Sequence, residues 1–145
     1  MESGAILVYL ARKYGRFLPT DSLSQSRVME WVMWQMGGLG PMAGQTHHFL
    51  HYNSGISQYA ENRFQTETKR LYRVLNERLE GRDFIVDEYS IADIACWPWI
   101  ARHEWQRIDL AEYSQLQMWY RRIAERDAVQ KGYHIPHFTA EIPAV

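Results

Sequence analysis

The chain has 145 residues, enough for one domain that buries roughly two thirds of the surface its unfolded form exposes. A hydrophobic content of 46% with 23% charge excludes a disordered chain, and the 14% aromatic fraction, with six Trp and nine Tyr, is high. Sixteen basic residues against seventeen acidic ones leave a net charge of −1, which supplies no field for nucleic acid or an anionic membrane, so neither is an expected partner.

The first helix is expected from about Ser3, as its N-cap, through Ala5, Ile6, Tyr9 and Leu10 to Gly15, which suits a left-handed stop. No basic segment leads into a long apolar stretch ahead of it, and no window has the length of a membrane span, so the cytoplasm is the expected compartment. Phe17 to Asp21 reads as a connector. The second helix begins near Ser22 or Ser24 and is apolar almost all round from Val28 to Leu39, which demands cover on more than one side. Gly37, Gly38, Gly40, Pro41 and Gly44 predict a bend or break there, and small residues permit a close helix crossing.

Asn53-Ser54-Gly55 marks a turn, after which Ile56, Ala60, Phe64, Leu71, Leu75 and Leu79 trace one helical stripe that ends at Gly81. Tyr89-Ser90-Ile91-Ala92-Asp93-Ile94 is a helix start with a capping box, Asp93 standing where Glu is usual. Pro98 lies inside that helix and removes one ladder bond, which predicts a kink between Trp97 and Trp99. A last helix is expected over about Ser114 to Arg126, with a non-helical, surface-lying tail after Gly132. No segment alternates with period two, so the fold class is all-α in one domain.

Chemistry-bearing patterns are few. Cys96, the only cysteine, excludes an intramolecular disulfide and sits in an apolar run with no adjacent base, which reads as a packing thiol. His47 and His51 are four apart with His48 nearby, yet no third ligand stands at usable spacing, so no metal is expected. No catalytic residue is assigned, since no nucleophile motif, phosphate loop or paired-carboxylate pattern is present.

Four blocks in order carry a family resemblance: Glu2-Ser3-Gly4-Ala5-Ile6, Trp34 to Met42, Gly44-Gln45-Thr46-His47-His48-Phe49, and Tyr89 to Ala95. Together they resemble the helical C-terminal half of glutathione S-transferases, most nearly the bacterial nu class and its fungal prion-forming relatives. The resemblance covers nearly the whole chain to about Gly132. It implies that residues 1–15 are the last helix of a thioredoxin-like domain and residues 16–145 a helical bundle. It also implies glutathione as co-substrate, with Glu2 and Ser3 gripping its γ-glutamyl amine and carboxylate. A Ser at a helix N-terminus suits a carboxylate and a neighbouring Glu suits an ammonium.

By the same resemblance Trp34, Trp97 and Trp99 line an electrophile pocket, although the residues themselves read more readily as core aromatics. Gln45 and His48 contribute near the two-fold axis of a homodimer. Thr46 stands where relatives often have Asn, and Asp127 where they usually have Pro. The thiol-activating residue and the cis-Pro turn would belong to the thioredoxin-like domain, a possible partner, so the chain alone is expected to be inactive. The rival expectation is a non-catalytic helical assembly domain.

Overall fold

The computed structural model describes residues 1–138 and 140–145. Among them there is no strand, and the α-helices are α1 (Ser3–Tyr14), α2 (Ser22–Trp34), α3 (Gly40–His47), α4 (Gln58–Arg78), α5 (Ile91–Ile100), α6 (Ser114–Ala124) and α7 (Asp127–Tyr133). The all-α expectation is met. No helix among the described residues is long and apolar enough to cross a membrane.

The core is built around α5, which is buried along most of its length and packs against α1, α2 and α6. Ile91, Ala92, Cys96, Ile100 and Ala101 are enclosed by Val28, Val32 and Leu39 from the second helical stretch, Leu71 and Leu75 of α4, and Leu116, Trp119 and Ile123 of α6. Cys96 is fully buried and free, and burial pushes its thiol well up, so it packs rather than reacts. On α4 the predicted stripe holds from Ala60 to Leu75, with Leu79 just past its end, but Ile56 precedes the helix and is exposed; Ser57 is the N-cap, its hydroxyl accepting from Ala60 N–H at 3.3 Å.

The capping box is present. Asp93 accepts from Ser90 N–H at 3.0 Å while the Ser90 hydroxyl accepts from the first turn, at 3.3 Å from Ala92 N–H. The Asp93 carboxylate also accepts from Ile85 N–H at 3.0 Å, from the Trp119 indole N–H at 2.8 Å and from the Ser90 hydroxyl at 3.3 Å. Burial raises the Asp93 pKa above the ordinary carboxylate value against these donors, which pull it the other way. One side chain thus joins the helix start, the loop before it and α6. The helix then runs through Pro98 to Ile100.

Three expectations need correction. Ser3 is not the N-cap of α1: Glu2 holds that position, caps with no side-chain bond, and the Ser3 hydroxyl points instead at Met36 Sδ, 3.7 Å away. The glycine-rich stretch, for which the sequence predicts a bend or a break, does not break the helix: a π-helical turn at Gln35–Leu39 carries α2 directly into α3, and a second follows α3 at His48–Tyr52. A π turn absorbs an extra residue and lets Leu39, Gly40 and Ala43 stay buried. Finally, α7 is a helix that the sequence reading left out. Asp127 is its first residue, where an acidic side chain favours the helix dipole. The tail beyond it is non-helical as expected, but it is tied down: the Tyr120 hydroxyl donates to Pro143 O at 2.8 Å and Arg121 Nε to Val145 O at 2.7 Å.

Candidate functional site

The end of α1 is set by Gly4. A Cβ there would lie 3.1 Å from Met36 Cγ, 3.2 Å from Met36 Sδ and 3.4 Å from Val32 Cγ1, so a larger residue would make the Met36 side chain give way by a few tenths of an ångström. The first helical bond runs from Ile6 N–H to Glu2 O at 3.0 Å, and with no side-chain cap the N–H groups of Ser3, Gly4 and Ala5 have no intrahelical acceptor. Glu2 itself is exposed with φ 62°, a left-handed conformation that a side-chain-bearing residue adopts at a cost of about 1–3 kcal/mol. It borders a cleft of about 790 Å³ lined by Gly4, Tyr9, Arg12 and Lys13 on one side and Met29, Met33 and Met36 on the other. The strained carboxylate and the open helix end thus stand at one end of a cleft walled by three methionines, and the two cations stand at the other end of α1, about 15 Å along its axis.

The remaining predicted residues lie elsewhere. Trp34 is half-buried, edge-on to Trp31 with ring centroids 5.0 Å apart. Gln45 and His48 are exposed roughly 13 Å or more beyond Met36 along the helical rod. Trp97 and Trp99, on α5, contact different parts of the molecule. Trp97 is buried, stacks on Tyr120 at 5.3 Å and donates its indole N–H to Tyr120 O at 3.1 Å. Trp99 lies against α3, 3.2 Å from where a Gly40 Cβ would stand and 3.8 Å from that of Gly44, so these glycines serve packing within the chain. Thr46 is likewise engaged internally, bonding Met42 O at 2.9 Å and Thr68 Oγ1 at 2.8 Å. Glu2 and Ser3 come together in the structure; the tryptophans do not converge on them.

Sequence reasoning missed Arg12, Lys13 and the methionine wall, although Met29, Met33 and Met36 follow a four-then-three spacing that puts them on one helix face. It also missed a polar hub under Trp99. The Gln106 amide nitrogen donates to His47 Nε2 at 2.9 Å and to Trp99 O at 2.8 Å, and its oxygen accepts from the Tyr72 hydroxyl at 2.6 Å. Two acceptors on one side fix the amide orientation and require His47 Nε2 to be unprotonated. Desolvation, with smaller contributions from Arg102 and His51, lowers the His47 pKa to about 4. His51 stacks on Trp105 at 4.3 Å, and among the described residues no three His, Cys, Asp or Glu side chains gather to hold a metal.

Residues 41–127 match the family model described as "Glutathione S-transferase, C-terminal domain". The chain belongs to the glutathione S-transferase family. It is 52% identical over 128 residues to the disulfide-bond oxidoreductase YfcG of Escherichia coli, covering 88% of this chain and 60% of that protein. A solved glutathione transferase from Burkholderia graminis, with two glutathione molecules bound per subunit, superposes with a TM-score of 0.87 at 38% identity over 94% of this chain and 60% of its own. One from Pseudomonas putida, with one glutathione disulfide bound per subunit, gives a TM-score of 0.87 at 40% identity over 94% and 62%. The chain therefore spans about three fifths of the length of these transferase-family relatives.

Proposed function

We propose that this chain is the helical part of a glutathione-dependent transferase or disulfide reductase, and that Glu2 and Ser3 hold the γ-glutamyl end of glutathione. The observation that carries this reading is the strained, exposed Glu2 beside an uncapped helix end at the mouth of a cleft. A carboxylate paired with an ammonium, and free N–H groups facing a carboxylate, match an α-amino acid moiety. In this reading residues 1–15 belong to a thioredoxin-like domain and residues 16–145 to the helical one. The helical part supplies the wall of the electrophile or disulfide pocket and one face of a homodimer.

Exposed Ile6, Tyr9, Leu10 and Tyr14 on α1, with Met33 on α2, support a covered face, whether by a second copy or by a thioredoxin-like partner. The chain alone is expected to be without conjugating activity, because a thiolate is stabilised by donors placed at sulfur and the groups assigned above hold the opposite end. The cytoplasm is the proposed compartment. Calorimetric titration of the chain with glutathione tests the reading. Saturable binding that disappears in Glu2→Ala with Ser3→Ala supports it, while no binding favours a non-catalytic assembly domain.

A further inference from the structure

Three thioethers, from Met29, Met33 and Met36, line one side of the cleft at Glu2. Met33 is exposed, and Met36, in the π-helical turn that follows α2, is half-buried. The Met36 sulfur has a defined place. The Ser3 hydroxyl donates to it across 3.7 Å, and Sδ lies 3.2 Å from where a Gly4 Cβ would stand, so it packs on the first turn of α1.

A thioether is a weak acceptor, whereas its sulfoxide is polar. In an apolar core the added oxygen finds no donor and its burial is costly. At Met36 a donor already points at the sulfur. An oxygen on that sulfur takes the Ser3 hydroxyl in a stronger bond, and the same hydroxyl belongs to the group assigned above to a ligand carboxylate.

We propose that Met36 is a redox modification site, oxidised by hydroperoxides to a sulfoxide whose oxygen takes the Ser3 hydroxyl and thereby weakens the hold on a ligand carboxylate. The sulfur attacks the outer oxygen of the hydroperoxide. An S–O bond forms as the O–O bond breaks, sulfur gives up two electrons, and the hydroperoxide proton leaves on the inner oxygen as an alcohol, or as water from hydrogen peroxide. Methionine sulfoxide reductase with a thiol reductant returns the sulfur to the thioether. The effect on a ligand rests on the reading of Glu2 and Ser3 above; the bond between the sulfoxide and Ser3 does not.

The test treats the full chain with hydrogen peroxide, removes the peroxide with catalase and locates the added oxygen by tandem mass spectrometry. Met36→Leu, treated alike, reports what oxidation of the other five methionines does. The expected result is an oxygen on Met36 of the folded chain and a glutathione affinity that falls about tenfold on oxidation in wild type but less than about twofold in Met36→Leu, restored by the reductase. A second readout needs no ligand. Oxidation should lower the urea midpoint more in Ser3→Ala than in wild type, because the variant has lost the donor that the new oxygen takes, and in Met36→Leu the Ser3→Ala change should make no such difference. If the unoxidised chain binds no glutathione, the reading of Glu2 and Ser3 fails and the midpoints decide for Met36. A Met36 left unoxidised in the folded chain, an equal midpoint shift with and without the Ser3 hydroxyl, or a glutathione affinity unmoved by oxidation overturns the proposal.

Discussion

Of the helices that start with serine as the first or capping residue, α1 and α5 are built in opposite ways. At α5 every group at the start is satisfied: Ser90 and Asp93 close the capping box, and the same carboxylate holds Ile85 N–H and the Trp119 indole. At α1 the Ser3 hydroxyl reaches only a thioether, Glu2 is strained and exposed, and the first N–H groups stay open. A closed helix start contributes to folding, whereas an open one leaves donors for a ligand and contributes little to stability. Substitutions at the two ends should therefore separate stability from binding.

The largest effect is expected at the closed end. Asp93→Ala leaves Ile85 N–H, Ser90 N–H and the Trp119 indole N–H without their acceptor in the core, and should cost about 3–5 kcal/mol. Urea denaturation followed by circular dichroism measures it. A loss below about 1 kcal/mol would show that the carboxylate is not the centre of this junction.

The next effect is pH-dependent and belongs to the buried hub. The His47 pKa falls from 6.5 to about 4 in the folded chain. Between those values the unfolded chain takes up a proton that the folded one refuses, so stability is complete above about pH 6.5 and declines as pH falls toward 4. At pH near 5 the loss should be on the order of 1–2 kcal/mol. Urea midpoints measured down that range should fall, and His47→Asn should flatten the slope; an equal slope in the variant would place the titration elsewhere.

Features fixed by neighbours in the chain were legible from sequence. Ser90 and Asp93 are three apart, and the left-handed stop at Gly15 follows from residue type, with φ of 61°. What failed was set by distant partners. The glycines of the second stretch predict a bend or a break on propensity alone, but Gly40 and Gly44 pack against Trp99, more than fifty residues away, and burial keeps the helix unbroken. The Gln106 hub joins His47 to Tyr72 and Trp99 across long separations that leave no local pattern. The seven residues of α7 are too few to show an apolar stripe.

Ser90→Ala tests the closed end more gently. It removes the acceptor for Ala92 N–H but leaves the Asp93 carboxylate to hold Ile85 and Trp119, so the cost should be about 0.5–2 kcal/mol, below that of Asp93→Ala. A denaturation midpoint equal to wild type at equal slope would mean that the serine hydroxyl adds nothing to the box.

The smallest effect on stability is expected at the open end, where it is also the most informative. Glu2→Ala with Ser3→Ala removes no hydrogen bond from the core, since Glu2 is exposed and the Ser3 hydroxyl contacts only Met36 Sδ. Stability should change by less than about 0.5 kcal/mol. Glu2→Gly should raise stability slightly, because glycine takes the left-handed conformation at φ 62° without the steric cost that a Cβ imposes. Maintaining that strained carboxylate is consistent with a use other than folding, and residues kept for binding commonly lower stability where they stand. Denaturation midpoints and glutathione titrations on the same three proteins decide the point together. If the double alanine variant lost more than about 1 kcal/mol, the α1 end would be part of the structural framework and the contrast with α5 would fail.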